Sequence, residues 1–93
     1  MARFLIEVPH DGDFAACVKV VDVFLSAGSH LLTQSDWGCM DGHHSAWIFV
    51  ETESKDEALH LIPPAFRAQA KIIGLNKFTK EQIETLMKQH AAH

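Results

Sequence analysis

The segment from Ser45 to Glu51 constrains the fold most, because it is apolar on both faces of the strand that it predicts. Side chains alternate between the two faces of a strand. Here aromatic residues fall on one face, and Ala46, Ile48 and Val50 fall on the other. Strands of this kind lie inside sheets that are covered on both sides. The sequence therefore predicts a sheet with helices on one face and a second cover on the opposite face.

Three further segments predict the remaining strands of this sheet. Apolar residues alternate with other side chains from Arg3 to Val8, as in a half-buried strand. A second strand is predicted from His30 to about Asp36, and a fourth from Lys71 to Leu75. Between the second and third strands, Asp41-Gly42 is a strong signal for a hairpin turn.

Capping residues predict a first helix after the first strand. Asp13 is a favoured N-cap residue, and Gly28 is a favoured C-cap residue. Between them, steps of three and four residues predict an inner apolar stripe. Its members are Phe14, Cys17, Val18, Val21 and Leu25.

Two more helices are predicted in the second half of the chain. Ser54 and Glu57 form a capping box at the start of one, which Pro63-Pro64 ends near Ile62. Thr79 with Gln82 predicts the start of the other. The predicted inner stripe of this last helix is Ile83, Leu86, Met87 and His90.

The resulting order is strand, helix, strand, strand, helix, strand, with an appended helix. A chain of 93 residues forms one domain, here residues 1–93. The order predicts the α+β class with a ferredoxin-like antiparallel sheet, in which right-handed crossovers place both helices on one face. The first and third strands are expected at its centre.

The opposite face of this sheet needs a cover that one copy of the chain does not supply. A large exposed apolar face usually marks an interaction surface. We therefore expect a homodimer in which the sheets of two copies pack together.

The order of the elements and the pattern of apolar residues in the strands resemble those of the dimeric α+β-barrel superfamily. This superfamily contains small monooxygenases and muconolactone isomerase-like proteins. They also resemble small ferredoxin-like nickel-binding proteins. The resemblance spans nearly the whole chain. It implies a dimeric barrel and, as one possible activity, cofactor-independent chemistry on a small organic molecule inside it.

The segment DWGCMDGHHSAW, residues 36 to 47, contains candidate metal ligands. The topology brings the end of the first strand and this hairpin to the same edge of the sheet. Imidazole and thiolate suit zinc, nickel and copper. The predicted ligands are His10, Cys39, His43 and His44, with Asp36 and Asp41 nearby. Adjacent histidines on a strand point to opposite faces, so one of His43 and His44 is expected to serve the site.

Two other interpretations of this cluster remain open. The hairpin can be a polar turn with solvated imidazoles. Alternatively, a histidine can lower the pKa of the Cys39 thiol and make it a nucleophile. The second cysteine, Cys17, is predicted to be a core residue, because it falls on the apolar stripe of the first helix.

Glu7 is the candidate general base of the enzymatic alternative. Its neighbours in the strand face the helices, so Glu7 is expected on the covered second face. A carboxylate buried there is costly unless it is paired with another group or has a catalytic function. Trp47 is a candidate wall of a ligand cavity there, although core packing also explains it. Arg67 is a candidate contact for an anionic ligand. A third hypothesis is a structural or partner-binding module without a ligand.

Composition and charge narrow the classes of partner. The net charge of −4 argues against nucleic acid, which requires a basic surface. We expect no membrane-spanning segment, because no apolar stretch reaches about 18 residues. Two cysteines do not make a disulfide framework, which favours a cytoplasmic protein with reduced thiols.

Overall fold

A computed structural model describes residues 1–91, excluding the side chains at positions 29, 30 and 91. The strands are β1 (Ala2–Pro9), β2 (Asp36–Trp37), β3 (Ser45–Thr52) and β4 (Lys71–Leu75). The helices are α1 (Phe14–Ala27), α2 (Ser29–Gln34), α3 (Lys55–His60) and α4 (Lys80–Ala91). Short 3₁₀ turns occupy Cys39–Asp41 and Pro64–Phe66.

The strands form one four-stranded sheet in the order β2-β3-β1-β4. Each neighbouring pair is antiparallel. The α+β class is therefore confirmed, and the first and third strands lie at the centre as expected.

The core lies between the helices and one face of the sheet. Phe4, Ile6 and Val8 point inward from β1 and are buried. Ile48 from β3 and Phe24 from α1 are also buried. Burial of a side chain of this size contributes about 1.5–3 kcal/mol to folding. The alternation seen in the sequence of β1 therefore identified its inner face correctly.

The inner face of α1 differs from the predicted stripe. Its buried residues are Val20 and Phe24, whereas Phe14 is 84% exposed and Leu25 is 50% exposed. The helix is apolar around most of its circumference, so more than one stripe fits the spacing. The ring of Phe24 contacts the ring of Trp37 at a centroid distance of 5.1 Å, and this packing determines which face turns inward.

The predicted strand from His30 to Asp36 is wrong for most of its length. Residues Ser29–Gln34 form α2, and only Asp36 and Trp37 pair with β3. The backbone N–H groups of Leu31 and Leu32 donate to the carbonyl of Gly28 and start a helical turn. Both leucines pack against the core, which a helix allows for adjacent residues and a strand does not.

The helix caps were predicted correctly. Ala16 N–H donates to the Asp13 carboxylate over 2.6 Å, and the N–H of Glu57 donates to the Ser54 hydroxyl over 3.1 Å. At α4, the N–H of Gln82 donates to the Thr79 hydroxyl, and the N–H of Thr79 donates to the Gln82 side chain.

The packing predicted for α4 is wrong. Ile83, Leu86 and Met87 are 40%, 41% and 66% exposed, and His90 is exposed as well. The chain measures 54 × 29 × 22 Å along its principal axes, an elongated shape for its size. The helix follows the edge strand β4 and projects from the domain, so its stripe does not reach the core.

The sheet face opposite the helices carries large apolar side chains. Phe49 and Ile73 are 54% and 45% exposed and lie on either side of Leu5 in the strand register. The Arg3 guanidinium lies 5.2 Å from the centre of the Phe49 ring. This face corresponds to the second face for which the sequence predicted a cover.

Substitution of Gly38, which precedes the 3₁₀ turn, tests how closely the hairpin is packed. A Cβ added there would lie 2.7 Å from the carbonyl oxygen of His43 and 2.7 Å from the Trp47 ring. We expect Gly38→Ala to lower the free energy of unfolding by about 1–3 kcal/mol, the usual cost of overpacking. Urea unfolding followed by Trp fluorescence measures this change.

Gly74→Ala is the matched control for this substitution. Its added Cβ would make ordinary contact with the Phe4 ring at 3.7 Å. We expect it to be neutral or slightly stabilising, because alanine loses less backbone entropy than glycine on folding. Equal stability of the two variants would contradict the close packing described at Gly38.

Candidate metal centre

Strand pairing places His10 and His44 side by side. The register of β1 with β3 ends at Pro9 opposite Ser45. Beyond it, the N–H of His10 donates to the carbonyl of His44 over 3.0 Å. The two imidazole rings are edge to face, with centroids 6.0 Å apart. Both histidines are therefore positioned by the central strand pair of the sheet.

A tight loop brings Cys39 to the same edge. The N–H of Gly38 donates to Ser45 O, and Gly38 O accepts from the N–H groups of Asp41 and His43. Gly42 adopts a positive φ of 78°, which glycine reaches without steric cost, and its N–H donates to the carbonyl of Cys39. The loop thus folds into a closed turn that is joined to the start of β3.

The three side chains converge on one point. His10 Nε2 lies 3.1 Å from Cys39 Sγ. One ligand atom from each of His10, Cys39 and His44 lies within 4.8 Å of the other two. In tetrahedral zinc sites, nitrogen and sulfur ligands lie about 3.5 Å apart, as follows from bond lengths of about 2.05 and 2.3 Å. The distance between His10 Nε2 and Cys39 Sγ is therefore close to that between two ligands of one zinc ion, and no separation in the group exceeds 4.8 Å.

The surroundings hold the two imidazoles in place and partly exclude water. His10 and His44 are half-buried, and their Nδ1 atoms are buried without a hydrogen-bond partner among the described residues. The Trp37 ring packs against the His10 ring at 6.2 Å. A Cβ added at Gly12 would lie 3.2 Å from the ring of His44. Buried polar atoms without a partner are costly and often mark a functional site.

The electrostatic environment keeps the Cys39 thiol protonated. Burial, together with a hydrogen bond and the charge interaction with the neighbouring Cys17 thiol, raises the pKa of Cys39 from 9.0 to about 11. The thiol is therefore neutral at physiological pH in the metal-free protein. This opposes the nucleophile hypothesis, which requires a lowered thiol pKa.

Not all of the predicted ligands join this group. His43 is exposed, and its ring lies 5.8 Å from the Trp47 ring on the open side of β3. Asp36 and Asp41 are also exposed. The alternation of side chains along the strand explains why His44 joins His10 while the adjacent His43 does not.

Cys17, predicted to be a core residue, lies outside the buried core cluster. Its side chain contributes to the raised pKa of the Cys39 thiol. It occupies the first turn of α1, where its N–H donates to the carbonyl of Asp13 over 3.1 Å. Its position shortly after His10, past a tight connection, is the signal in the sequence that indicates this proximity.

The other three predicted site residues lie elsewhere. The Trp47 indole N–H donates to the Glu7 carboxylate over 3.0 Å, and Lys71 Nζ lies 3.7 Å from the same carboxylate. The guanidinium of Arg67 donates to the carbonyls of Ile62 and His60. Glu7 and Trp47 form a pair on the open sheet face, and Arg67 braces the turn after α3.

Comparison of the chain with models of known families, with curated proteins and with solved structures finds no match. Among the helices within residues 1–91, none combines the length and the apolar character needed to cross a membrane.

The raised pKa of Cys39 predicts slow alkylation of the metal-free protein. The thiolate is the reactive species, and a higher pKa leaves less of it at any given pH. We expect the rate of iodoacetamide labelling at Cys39 to keep rising up to about pH 11. Mass spectrometry of the peptide that contains Cys39 gives this rate, with free cysteine as the reference. A plateau near pH 9 would contradict the prediction.

Proposed function

We propose that this protein binds a transition metal ion through His10, Cys39 and His44. The convergence of two imidazoles and one thiol within 4.8 Å at one edge of the sheet carries the proposal. These donors suit zinc, nickel and copper, whereas magnesium and calcium prefer oxygen ligands. A cytoplasmic location, where thiols stay reduced, fits the role of Cys39 as a ligand.

The environment favours a metal site over a solvated polar turn. Solvated imidazoles would direct their nitrogens to water, but both Nδ1 atoms are buried. The imidazoles are presented by two paired strands, so their positions are largely set before a metal arrives. A preorganised donor set reduces the entropy lost on binding.

Metal binding at this site requires the loss of a proton from the protein. The neutral Cys39 thiol must lose its proton to coordinate, and the imidazoles must be neutral. Binding therefore releases the Cys39 proton, so the affinity for the metal falls as the pH falls. A cleft of about 450 Å³ lies beside His10 and is lined in part by Ala16 and Lys19.

Calorimetric titration of zinc and nickel into untagged protein tests the proposal. We expect Cys39→Ser, His10→Ala and His44→Ala each to weaken binding at least about tenfold, because even the loss of an outer-shell partner costs roughly 10- to 100-fold. His43→Ala is the matched control. It removes a histidine from the same loop but outside the donor group, so its affinity should equal that of the wild type.

Two outcomes would overturn the metal proposal. Wild-type protein that binds neither ion more tightly than millimolar would show that the hairpin is only a polar turn. An equal loss in His43→Ala and His44→Ala would show that binding is nonspecific capture by surface histidines.

We also propose that two copies pack through their open sheet faces in a ferredoxin-like, dimeric α+β-barrel arrangement. The middle row of this face is apolar and consists of Phe49, Leu5 and Ile73 in register. Glu7 and Lys71 lie in the row on one side. The row on the other side contains Arg3, with Glu51 opposite it.

The distribution of charge on this face favours a second copy as the occupant. A twofold axis perpendicular to the strands and between the sheets would set the apolar rows against each other. It would also bring the Glu7 row of one copy toward the Arg3 row of its partner. Such self-complementarity is what an isologous dimer requires.

Light scattering tests the dimer. We expect a particle of about twice the 10.4 kDa chain mass at micromolar concentration. Phe49→Asp should yield monomers, because it places a charge in the middle of the apolar row. Phe78→Asp is the matched control, since Phe78 is 61% exposed but precedes α4. A wild-type monomer would contradict the proposal, and dissociation by Phe78→Asp alone would place the interface on α4.

The enzymatic alternative depends on the same face. A second copy would enclose the hydrogen-bonded Glu7–Trp47 pair, and a small molecule bound there would meet a carboxylate and an indole wall. In the single chain, Glu7 accepts the Trp47 hydrogen bond and faces Lys71, which favours a structural role. The roles of Glu7 as a general base and of Arg67 as an anion contact stay predictions.

A further inference from the structure

We infer that the ion of this centre is copper(I), held by two imidazoles and one thiolate in a three-coordinate site. This inference rests on the proposed metal-binding function and names the ion that the donor set fits best. Zinc, nickel and copper all accept imidazole and thiolate ligands, so the donor types alone do not select one of them. The number of donors, the charge of the centre and its surroundings favour copper(I).

The donor group has three members. Within the part of the chain that the structure describes, only His10, Cys39 and His44 form a group of His, Cys, Asp or Glu side chains close enough to hold an ion. Structural zinc sites almost always have four protein ligands, and zinc with three protein ligands takes a water molecule as the fourth. Copper(I) is a soft ion that prefers thiolate and is satisfied by three ligands in a plane. The group is therefore complete for copper(I) and incomplete for structural zinc.

The charge of the centre also favours a monovalent ion. On binding, the S–H bond of Cys39 breaks, a bond between sulfur and copper forms, and the proton leaves to solvent. One monovalent ion, one thiolate and two neutral imidazoles have no net charge, whereas zinc or nickel with the same donors leaves one excess positive charge. Asp36 and Asp41 are exposed and do not join the donor group, so they do not compensate it. An uncompensated charge at a half-buried site is unfavourable.

Aromatic rings form an apolar wall beside the donors. The Trp37 ring packs against the His10 ring at a centroid distance of 6.2 Å and against the Phe24 ring of the core at 5.1 Å. His10, Cys39 and His44 are all half-buried. Apolar surroundings limit the access of water and lower the local dielectric constant. They therefore favour the oxidation state in which the centre is neutral, which is copper(I).

The methionines distinguish this centre from a blue-copper site. In blue-copper electron-transfer sites, two histidines and one cysteine are typically joined by a weak axial methionine. Here Met40 directly follows Cys39 but is fully exposed, and Met1 and Met87 are exposed as well. The donor set therefore fits a site that holds copper(I) better than one that cycles between two oxidation states.

Competition with chromophoric chelators tests the choice of ion. The untagged full chain would be titrated without oxygen, with copper(I) kept reduced by ascorbate against bicinchoninate, and separately with zinc. We expect one copper(I) per chain, bound more tightly than zinc and not displaced by excess zinc. Cys39→Ser, His10→Ala and His44→Ala should each weaken copper(I) binding at least about tenfold. His43→Ala and Cys17→Ser are the matched controls, because each removes a similar side chain that lies outside the donor group.

X-ray absorption at the copper edge counts the ligands in the loaded wild-type protein. The intensity of the pre-edge feature distinguishes three-coordinate from four-coordinate copper(I), and the extended fine structure separates sulfur from nitrogen ligands. We expect one sulfur and two nitrogens. Thermal melts without metal are the folding control for the variants, and the wild-type spectrum tests the inference even if a variant folds poorly.

The outcomes separate this inference from the function on which it rests. Copper(I) bound no more tightly than zinc would overturn the choice of ion and leave the metal-binding proposal standing. A spectrum with two sulfur ligands that falls to one in Cys17→Ser would overturn the three-coordinate site. Wild-type protein that binds neither copper(I), zinc nor nickel would overturn both proposals. Selective binding of copper(I) with one sulfur and two nitrogens would establish the inference.

Discussion

Eight consecutive residue pairs join β1 to β3, from Ala2 opposite Thr52 to Pro9 opposite Ser45. Both the core and the candidate metal centre depend on this pairing. It places the inward side chains of the two central strands under α1, and its last hydrogen bond, from His10 to His44, aligns the two imidazoles. A shift of one residue in this register would move every side chain to the opposite face and separate the histidines.

The two faces of the paired strands differ in their surroundings. One face is covered by the helices: Phe24 of α1 packs against Trp37, and Ala58 of α3 is buried in the core. The other face is open in the single chain and carries a central apolar row between charged rows. The candidate metal centre lies at the edge, so the proposed binding of an ion and the proposed pairing of two copies would use separate parts of the surface. The proposed dimer and the proposed metal site can therefore be tested independently.

The candidate metal centre is a preorganised donor set with a protonated thiol. Burial and the neighbouring Cys17 thiol keep Cys39 neutral, which removes the nucleophilic character that a histidine neighbour would otherwise promote. A bound divalent ion would reverse this balance, because it would stabilise the thiolate that burial disfavours. The burial that makes the Cys39 thiol unreactive therefore also means that a metal ion would have to compete with a proton for its sulfur.

The sequence by itself determined the elements with strong local signals. Alternation in β1, the apolar β3, the Asp13, Ser54 and Thr79 caps and the meeting of His10 with the hairpin follow from chain-local chemistry and sheet topology. Tertiary packing decided the rest. Leu31 and Leu32 form a helix because both reach the core, α1 turns Phe24 inward because Trp37 receives it, and α4 projects because it follows the edge strand. Cys17 lies outside the core for the same reason: several apolar stripes fit the spacing in this helix, and only its partners in three dimensions select one.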